Sequence, residues 1–186
     1  MVAVIGDASV DPAGAKAEAA RQVGALIIDR RWRLVTGGMG GVMKEASAGA
    51  RASAAWVDGD IIGVLPGSDP AAANPFIDVV IPTGMDHLRN SIVAHADAII
   101  VIGGGAGTLS EIALGWIYRR LIVALPHEGW GARLAGMRID QRVRYKDMPG
   151  DCIHAAASCD EAIELVARLL PQYQRRHSDI KTRIVS

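Results

Sequence analysis

The stretch AIIVIGGGAGTLSEIALGWIYRRLIVAL, residues 98–125, decides the fold. It begins with the apolar run Ala98–Ile102, passes through a glycine-rich turn, continues as a helix to Tyr118 and ends in a second apolar run, Leu121–Leu125. Strands made almost entirely of Val, Ile and Leu are buried on both faces of a sheet, and a helix between two such strands connects them in parallel. The stretch therefore predicts a parallel sheet that helices cover on both sides.

The residues before this unit alternate in the same way between short apolar runs and helical patterns. The predicted strands there are Val2–Gly6, Arg33–Thr36, Ile61–Leu65 and Ile77–Ile81, and the predicted helices are Ala15–Ile28, Val42–Ala55 and, approximately, Asp86–His95. We expect one α/β domain with a doubly wound, Rossmann-like parallel sheet and helices on both faces.

The C-terminal part is less regular. Residues 127–152 show no clear pattern, and Asp160–Leu170 is predicted as the closing helix, with Asp160 as its N-cap and Pro171 ending it. The predicted domain therefore covers residues 1–171. The polar, basic segment 172–186 is predicted to be a mobile tail or an oligomerisation arm.

Composition excludes several classes of protein. Lysine plus arginine (20) balance aspartate plus glutamate (20), so no overall field attracts nucleic acid or an anionic membrane. Met1 leads directly into a strand, and no apolar run approaches the roughly 20 residues that cross a bilayer, so we expect a soluble cytoplasmic protein. Cys152 and Cys159 have no CxxC spacing, and His87 and His95 have no third ligand nearby, so no metal site is predicted.

The candidate site lies at the carboxyl ends of the strands, where ligands bind in doubly wound sheets. Glycines there let backbone N–H groups approach a phosphate, and the following helix adds the positive end of its dipole. The alternative explanation is structural: the glycines only permit tight turns. Four segments meet at this edge: Gly6–Ser9, Thr36–Met43, Pro82–Asn90 and Gly103–Glu111.

Common nucleotide motifs are missing from these segments. Neither glycine-rich loop continues as Gly-Lys-Ser/Thr, so the chain is not a Walker-type triphosphatase. The first turn, Gly6-Asp-Ala-Ser9, lacks the second and third glycines of the dinucleotide fingerprint, which argues against a redox cofactor. No Ser/His/Asp or Cys/His nucleophile constellation can be argued.

Four polar residues each have two readings. Thr108 and Glu111 have the spacing of a helix capping box, but Thr108 could equally hold a phosphate and Glu111 could face the ligand as a base. Arg89 is either a solvated surface cation or a ligand contact beside the cleft. Asp7 is either a turn-forming residue or a contact to a ribose or pterin edge.

In this order, the segments resemble the LOG-like family, formerly called lysine decarboxylase-like, and most closely its branch of molybdenum cofactor carrier proteins. The resemblance runs from about Val2 to Leu125. It rests on four motifs: Thr36-Gly-Gly-Met-Gly-Gly-Val-Met43, Gly63-Val-Leu-Pro-Gly67, Ile81-Pro-Thr-Gly-Met85 with Arg89-Asn90, and Gly103-Gly-Gly-Ala-Gly-Thr-Leu-Ser-Glu111.

Two functions are implied by this resemblance. Some members of the family are enzymes that hydrolyse nucleoside 5′-monophosphates to base and ribose 5-phosphate. If this chain is such an enzyme, the resemblance implies that Arg89 and Glu111 are its catalytic residues. The enzymes usually carry Arg-Lys and Pro-Gly-Gly-x-Gly-Thr, whereas this chain has Arg89-Asn90 and Gly103 in place of the proline. Both departures favour the carriers, which are implied to bind molybdopterin through its phosphate without turnover. A nucleotide sensor that changes its oligomeric state is a third hypothesis.

The predicted ligand is thus a phosphate-bearing small molecule, with the molybdenum cofactor as cargo and no metal bound directly by the protein. A homodimer or homotetramer is expected, since Trp116 is taken as an exposed contact. The residues predicted to bind the ligand are Gly6, Ser9, Thr36, Gly37, Gly38, Gly40, Gly41, Val42, Met43, Thr83, Gly84, Met85, Arg89, Asn90, Gly103, Gly104, Gly105, Gly107, Thr108 and Glu111.

Overall fold

Parallel strands form one sheet in the computed structural model, which describes residues 1–173. The strands are β1 (Val2–Gly6), β2 (Leu34–Thr36), β3 (Ile61–Leu65), β4 (Val79–Pro82), β5 (Ala98–Ile102), β6 (Leu121–Ala124) and β7 (His154–Ala155). The helices are α1 (Ala15–Asp29), α2 (Val42–Ala52), α3 (Asn90–Val93), α4 (Ala106–Ile117), α5 (Trp130–Leu134) and α6 (Cys159–Tyr173), with short 3₁₀ helices at Pro70–Ala72 and Asp86–Arg89.

The order of the strands is β4-β3-β2-β1-β5-β6-β7, and all neighbouring pairs are parallel. The chain first winds outward from β1 to β4 and then returns to place β5 on the other side of β1. The change of direction lies between β1 and β5, where a crevice opens at the carboxyl ends of the strands. The predicted Rossmann-like fold is confirmed.

Alternate residues of each strand enter two separate cores. Val2 and Val4 of β1 pack with α1, α2 and α6, whereas Ala3 and Ile5 pack with α3, α4 and α5. β5 is fully buried along its length. This two-sided burial explains why its sequence is continuously apolar.

Helices α1 and α2 pack with their backbones in contact. A Cβ added at Gly24 would lie 2.0 Å from the carbonyl oxygen of Ala46, and one at Gly49 would lie 1.9 Å from that of Arg21. Only glycine permits this approach, which brings α2 and the glycine-rich turn before it against the end of β1.

Three predicted helix boundaries are corrected. The segment predicted as a helix over 86–95 is a 3₁₀ turn followed by the single turn α3. Helix α6 is capped by Ser158 rather than Asp160, because the Ser158 hydroxyl accepts from the Glu161 N–H at 3.1 Å. The helix also continues past Pro171 to Tyr173, whose buried ring holds the last turn in place. The remainder of the predicted tail, 174–186, lies outside the described residues.

A buried ion pair anchors the irregular segment before β7. Arg144 makes two hydrogen bonds to Asp151, at 2.7 and 2.5 Å, and its guanidinium lies 3.7 Å from the ring centroid of Trp116. Trp116 is 1% exposed, so the expectation that it is an exposed oligomer contact is wrong. Its indole packs in the core and donates to Asp140 at 3.1 Å.

Within residues 1–173, no helix combines the length and the apolar character needed to cross a membrane.

Candidate functional site

A cleft with a cavity volume of about 260 Å³ opens at the carboxyl ends of β1 and β5. This is close to the lower end of the range for small-molecule sites, about 300–1,000 Å³, and suits a ligand of mononucleotide size. The cleft is lined by Ile5, Gly6, Asp7, Ala8, Gly37, Met43, His87, Arg89, Asn90, Gly105, Gly107, Thr108 and Glu111.

Arg89 presents a buried guanidinium to this cleft. Its Nε and Nη1 atoms are inaccessible to solvent and have no hydrogen-bond partner among residues 1–173. A Cβ at Gly37 would lie 2.2 Å from Nη1, so the guanidinium occupies the space that the missing side chain leaves. Burial lowers the pKa of Arg89, with a smaller opposing effect from Glu111. A buried guanidinium without an acceptor is unfavourable unless an anion binds beside it.

Glu111, which belongs to α4, lies next to Arg89. Its Oε1 is 3.7 Å from Arg89 Nη1, and its side chain is 9% exposed. Burial raises the pKa of Glu111 to about 7, and the attraction of Arg89 only partly opposes this effect. Near neutral pH the carboxyl group can therefore hold or release a proton, which is the property required of a general acid or base.

The capping-box reading of Thr108 and Glu111 is wrong. Helix α4 begins at Ala106 with Gly105 as its N-cap, which makes no side-chain hydrogen bond, so Thr108 is already the third helical residue. The Thr108 hydroxyl instead donates to the carbonyl of Gly6 at 3.0 Å and ties α4 to the end of β1. The N–H groups at the start of α4 are left free of a side-chain cap at the wall of the cleft, as an anion site requires.

Asn90 fixes α3 against the same loop. Its Nδ2 donates to Ser110 Oγ at 2.7 Å, and Ser110 Oγ donates to the Gly107 carbonyl at 2.7 Å. Because Arg89 precedes Asn90 in the chain, this contact also sets the position of the guanidinium relative to α4.

A second charged pair borders the cleft. Asp7 Oδ2 accepts a hydrogen bond from Lys16 Nζ at 2.7 Å. Sequence reasoning missed Lys16, although a lysine in the first turn of a helix is electrostatically unfavourable there and could have signalled a special partner. Gly103 has a φ of +67°, and a Cβ at this position would lie 2.4 Å from Asp7 Oδ2.

The structure brings together nine of the predicted ligand residues at the cleft: Gly6, Gly37, Met43, Arg89, Asn90, Gly105, Gly107, Thr108 and Glu111. Thr36 and Val42 are fully buried at the two ends of the glycine-rich loop that joins β2 to α2. Ser9 is exposed outside the lining, and Thr83 donates to the Leu65 carbonyl at 2.7 Å. The other predicted residues shape the loops without lining the cleft: Gly38, Gly40, Gly41, Gly84, Met85, Gly103 and Gly104.

Three lining residues were not predicted as ligand contacts: Ile5, Ala8 and His87. Asp7, for which the sequence left a turn role and a contact to a ribose or pterin edge open, also lines the cleft. The His87 side chain is 85% exposed and lies at the rim of the cleft. In the part of the chain that the structure describes, no three His, Cys, Asp or Glu side chains are grouped as a metal ion would require.

Comparison with known proteins places these features in a family. A family model described as the SLOG cluster4 family matches residues 1–162. A cytokinin riboside 5′-monophosphate phosphoribohydrolase from Mycobacterium tuberculosis is 35% identical over 101 residues, which are 53% of this chain and 53% of that protein. The chain spans 53–60% of the length of the curated relatives that it matches.

Two solved structures are similar over nearly the whole fold. The molybdenum cofactor carrier protein of Chlamydomonas reinhardtii has a TM-score of 0.73 and 28% identity, over 91% of this chain and 98% of that one. The molybdenum cofactor binding protein of Rippkaea orientalis has a TM-score of 0.71 and 27% identity, over 91% and 94%. The predicted resemblance to LOG-like proteins and their carrier branch is confirmed. Because the family model covers most of its length, the chain belongs to the SLOG cluster4 family.

Proposed function

We propose that this protein binds and carries a phosphate-bearing, nucleotide-like ligand, and that the ligand is the molybdenum cofactor. The observation that carries the proposal is the buried Arg89 guanidinium, whose Nε and Nη1 atoms have no acceptor among the described residues. Arg89 lines the cleft, so a phosphate bound there would supply an acceptor once the side chain turns its buried N–H groups toward it. Charge-assisted hydrogen bonds of this kind are about twice as strong as neutral ones.

The remaining features of the cleft support the same ligand chemistry. The start of α4 offers N–H groups without a side-chain cap, and Gly105 and Gly107 leave them accessible to a ligand. The proteins of Chlamydomonas reinhardtii and Rippkaea orientalis carry or bind molybdenum cofactor according to their names. Binding without chemical change requires only such a preformed anion cradle.

The test is a binding titration with purified molybdenum cofactor under anaerobic conditions. The wild-type protein is expected to bind the cofactor and to slow its oxidation, and Arg89→Ala is expected to lose at least a tenfold factor in affinity. Arg168→Ala, which removes an exposed cation on α6 that does not line the cleft, serves as the control. Equal affinity of Arg89→Ala and wild type would contradict the proposal.

Hydrolysis of nucleoside 5′-monophosphates is the second candidate function. It is favoured by Glu111, whose pKa is raised by burial to about 7 and which lies 3.7 Å from Arg89. In this case Glu111 would position or activate water, and Arg89 would stabilise the developing charge.

Incubation with AMP, followed by an assay for ribose 5-phosphate, separates the two functions. Turnover that Glu111→Gln abolishes would establish the hydrolase and exclude pure carriage. No turnover, together with measurable binding of AMP, would favour the carrier.

Assembly into a homodimer or homotetramer is also proposed. Exposed apolar side chains on the 3₁₀ turn, α3 and α4 support it: Leu88, Ile92 and Ile117 are 74%, 39% and 55% exposed. Sedimentation of the protein alone measures the state of assembly. A change on addition of nucleotides without turnover would instead identify the sensor. The cytoplasmic location stays a prediction.

A further inference from the structure

Asp7 places a second carboxylate, besides that of Glu111, in a cleft where Arg89 and the start of α4 attract an anion. It lines the cavity together with Arg89 and the start of α4, and its side chain is 26% exposed. A phosphate would be repelled by this carboxylate, so Asp7 must face a different part of any ligand that fills the cleft.

The carboxylate is held in a fixed position. Lys16 donates to Oδ2 at 2.7 Å from the first turn of α1, where the helix dipole disfavours a cation. The space for this pair exists because residue 103 is glycine: a Cβ there would lie 2.4 Å from Asp7 Oδ2 and 2.9 Å from Lys16 Nζ. The φ of +67° at Gly103 also excludes a proline, which is confined to a φ near −65°.

Asp7 retains most of its capacity to accept hydrogen bonds. A carboxylate offers about four lone-pair positions, and Lys16 is its one side-chain donor within residues 1–173. The Oδ1 atom has no hydrogen-bond donor in this part of the chain. Two adjacent donors on a ligand could therefore bind to the carboxylate side by side.

Arg89 and Asp7 lie on opposite sides of β1. The Arg89 guanidinium lies against Gly37, which follows β2, whereas the Asp7 carboxylate lies against Gly103, which follows β5. Since β1 separates β2 from β5, Arg89 and its neighbour Glu111 lie on one side of the cleft, and Asp7 with its partner Lys16 lies on the other. A ligand with a phosphate beside Arg89 and hydrogen-bond donors beside Asp7 matches this arrangement.

Heterocycles differ in the donors that they can offer to a carboxylate. Pterin and guanine each present a ring N–H beside an exocyclic amine, which fits a carboxylate with two parallel hydrogen bonds. Hypoxanthine has the ring N–H alone, and adenine has an amine beside an acceptor nitrogen. Burying that acceptor against a carboxylate is unfavourable.

We infer that Asp7, oriented by Lys16, determines ligand specificity by accepting hydrogen bonds from a ring N–H and an adjacent exocyclic amine, as in pterin or guanine. This inference rests on the proposed binding of a phosphate-bearing ligand and specifies the heterocycle of that ligand.

Calorimetric titration with GMP, IMP, AMP and ribose 5-phosphate tests the inference, with chromatography of each nucleotide afterwards to show that it is intact. Wild type is expected to bind GMP at least about tenfold more tightly than AMP, with IMP between them. Asp7→Asn is expected to reduce the GMP-to-AMP ratio to about one or below, because its amide is a donor as well as an acceptor and can pair with adenine.

Two further variants separate recognition from general charge or folding effects. Lys16→Met keeps the carboxylate but removes the residue that orients it, and is expected to lower the GMP-to-AMP ratio by a smaller factor than Asp7→Asn. Asp58→Asn removes an exposed carboxylate outside the cleft and is expected to leave the ratio unchanged.

Ribose 5-phosphate distinguishes failure of the inference from failure of the proposed function. If ribose 5-phosphate binds with an affinity that depends on Arg89, while GMP and AMP bind equally well, the cleft is a phosphate site and Asp7 does not read the heterocycle. If neither ribose 5-phosphate nor any nucleotide binds, the proposed function itself is wrong. A GMP preference that survives in Asp7→Asn would also overturn the inference.

Discussion

Replacing Glu111 by glutamine should change how the stability of the protein depends on pH. Burial raises the pKa of this side chain from the ordinary 4.5 to about 7. An acid with a raised pKa binds more protons in the folded state, so the free energy of unfolding falls as the pH rises between these two values and stays low above them. Glutamine has nearly the same shape but cannot ionise, so Glu111→Gln should lose this dependence.

The size of the effect follows from the two pKa values. Their difference corresponds to about 3.4 kcal/mol at full ionisation, because one pKa unit is worth about 1.4 kcal/mol. Between about pH 5 and about pH 8.5, the linkage relation gives a change of about 2.5 kcal/mol in the stability difference between variant and wild type. For a chain of this length, that amounts to roughly 5–10 °C in melting temperature.

Urea unfolding of both proteins at about pH 5 and about pH 8.5 measures this change. Glu111→Gln should gain stability relative to wild type at the higher pH, and any constant effect of the substitution cancels in the comparison. Glu128→Gln, at an exposed glutamate that does not line the cleft, is the control. The same stability difference at both pH values would refute the reasoning and show that folding does not raise the pKa of Glu111.

Three substitutions away from the cleft test the packing. Arg144→Met leaves Asp151 buried without its ion-pair partner and should lower the free energy of unfolding by about 3–5 kcal/mol, measured with urea. Gly24→Ala should destabilise by about 1–3 kcal/mol despite a better helix propensity, because its Cβ would meet the Ala46 carbonyl; thermal unfolding by circular dichroism would show it. Tyr173→Phe loses the 2.7 Å hydrogen bond to Asp151 and should lower stability by about 1–2 kcal/mol in the same experiment.

The sequence was sufficient to predict those strands and helices whose positions depend on burial alone. β5 and β6 are apolar because both faces of the sheet are covered, and the helix between them was predicted to within a residue or two. The edge of the sheet was predicted less well. β4 begins at Val79 rather than Ile77, and β7 has two residues, too few for a periodic pattern.

Predictions that depended on a distant partner failed or stayed incomplete. Trp116 was taken as exposed because nothing nearby in sequence reveals that Arg144 covers its ring. Thr108 was assigned either to a cap or to a phosphate, whereas its hydroxyl bonds to Gly6, more than a hundred residues away. The loops of the cleft could be recognised from their glycines, but the pairing of Asp7 with Lys16 required the fold.

Arg89 has N–H groups without acceptors among the described residues, so a ligand that supplies an acceptor should stabilise the folded protein. The melting temperature should therefore report whether the cleft is occupied. A ligand that binds only the folded state raises the free energy of unfolding, by about 2.7 kcal/mol at a hundredfold excess over its dissociation constant. A melting screen of phosphorylated compounds can therefore rank candidate ligands before any reaction is known. Loss of the upward shift in Arg89→Ala would identify those compounds whose phosphate lies beside the guanidinium.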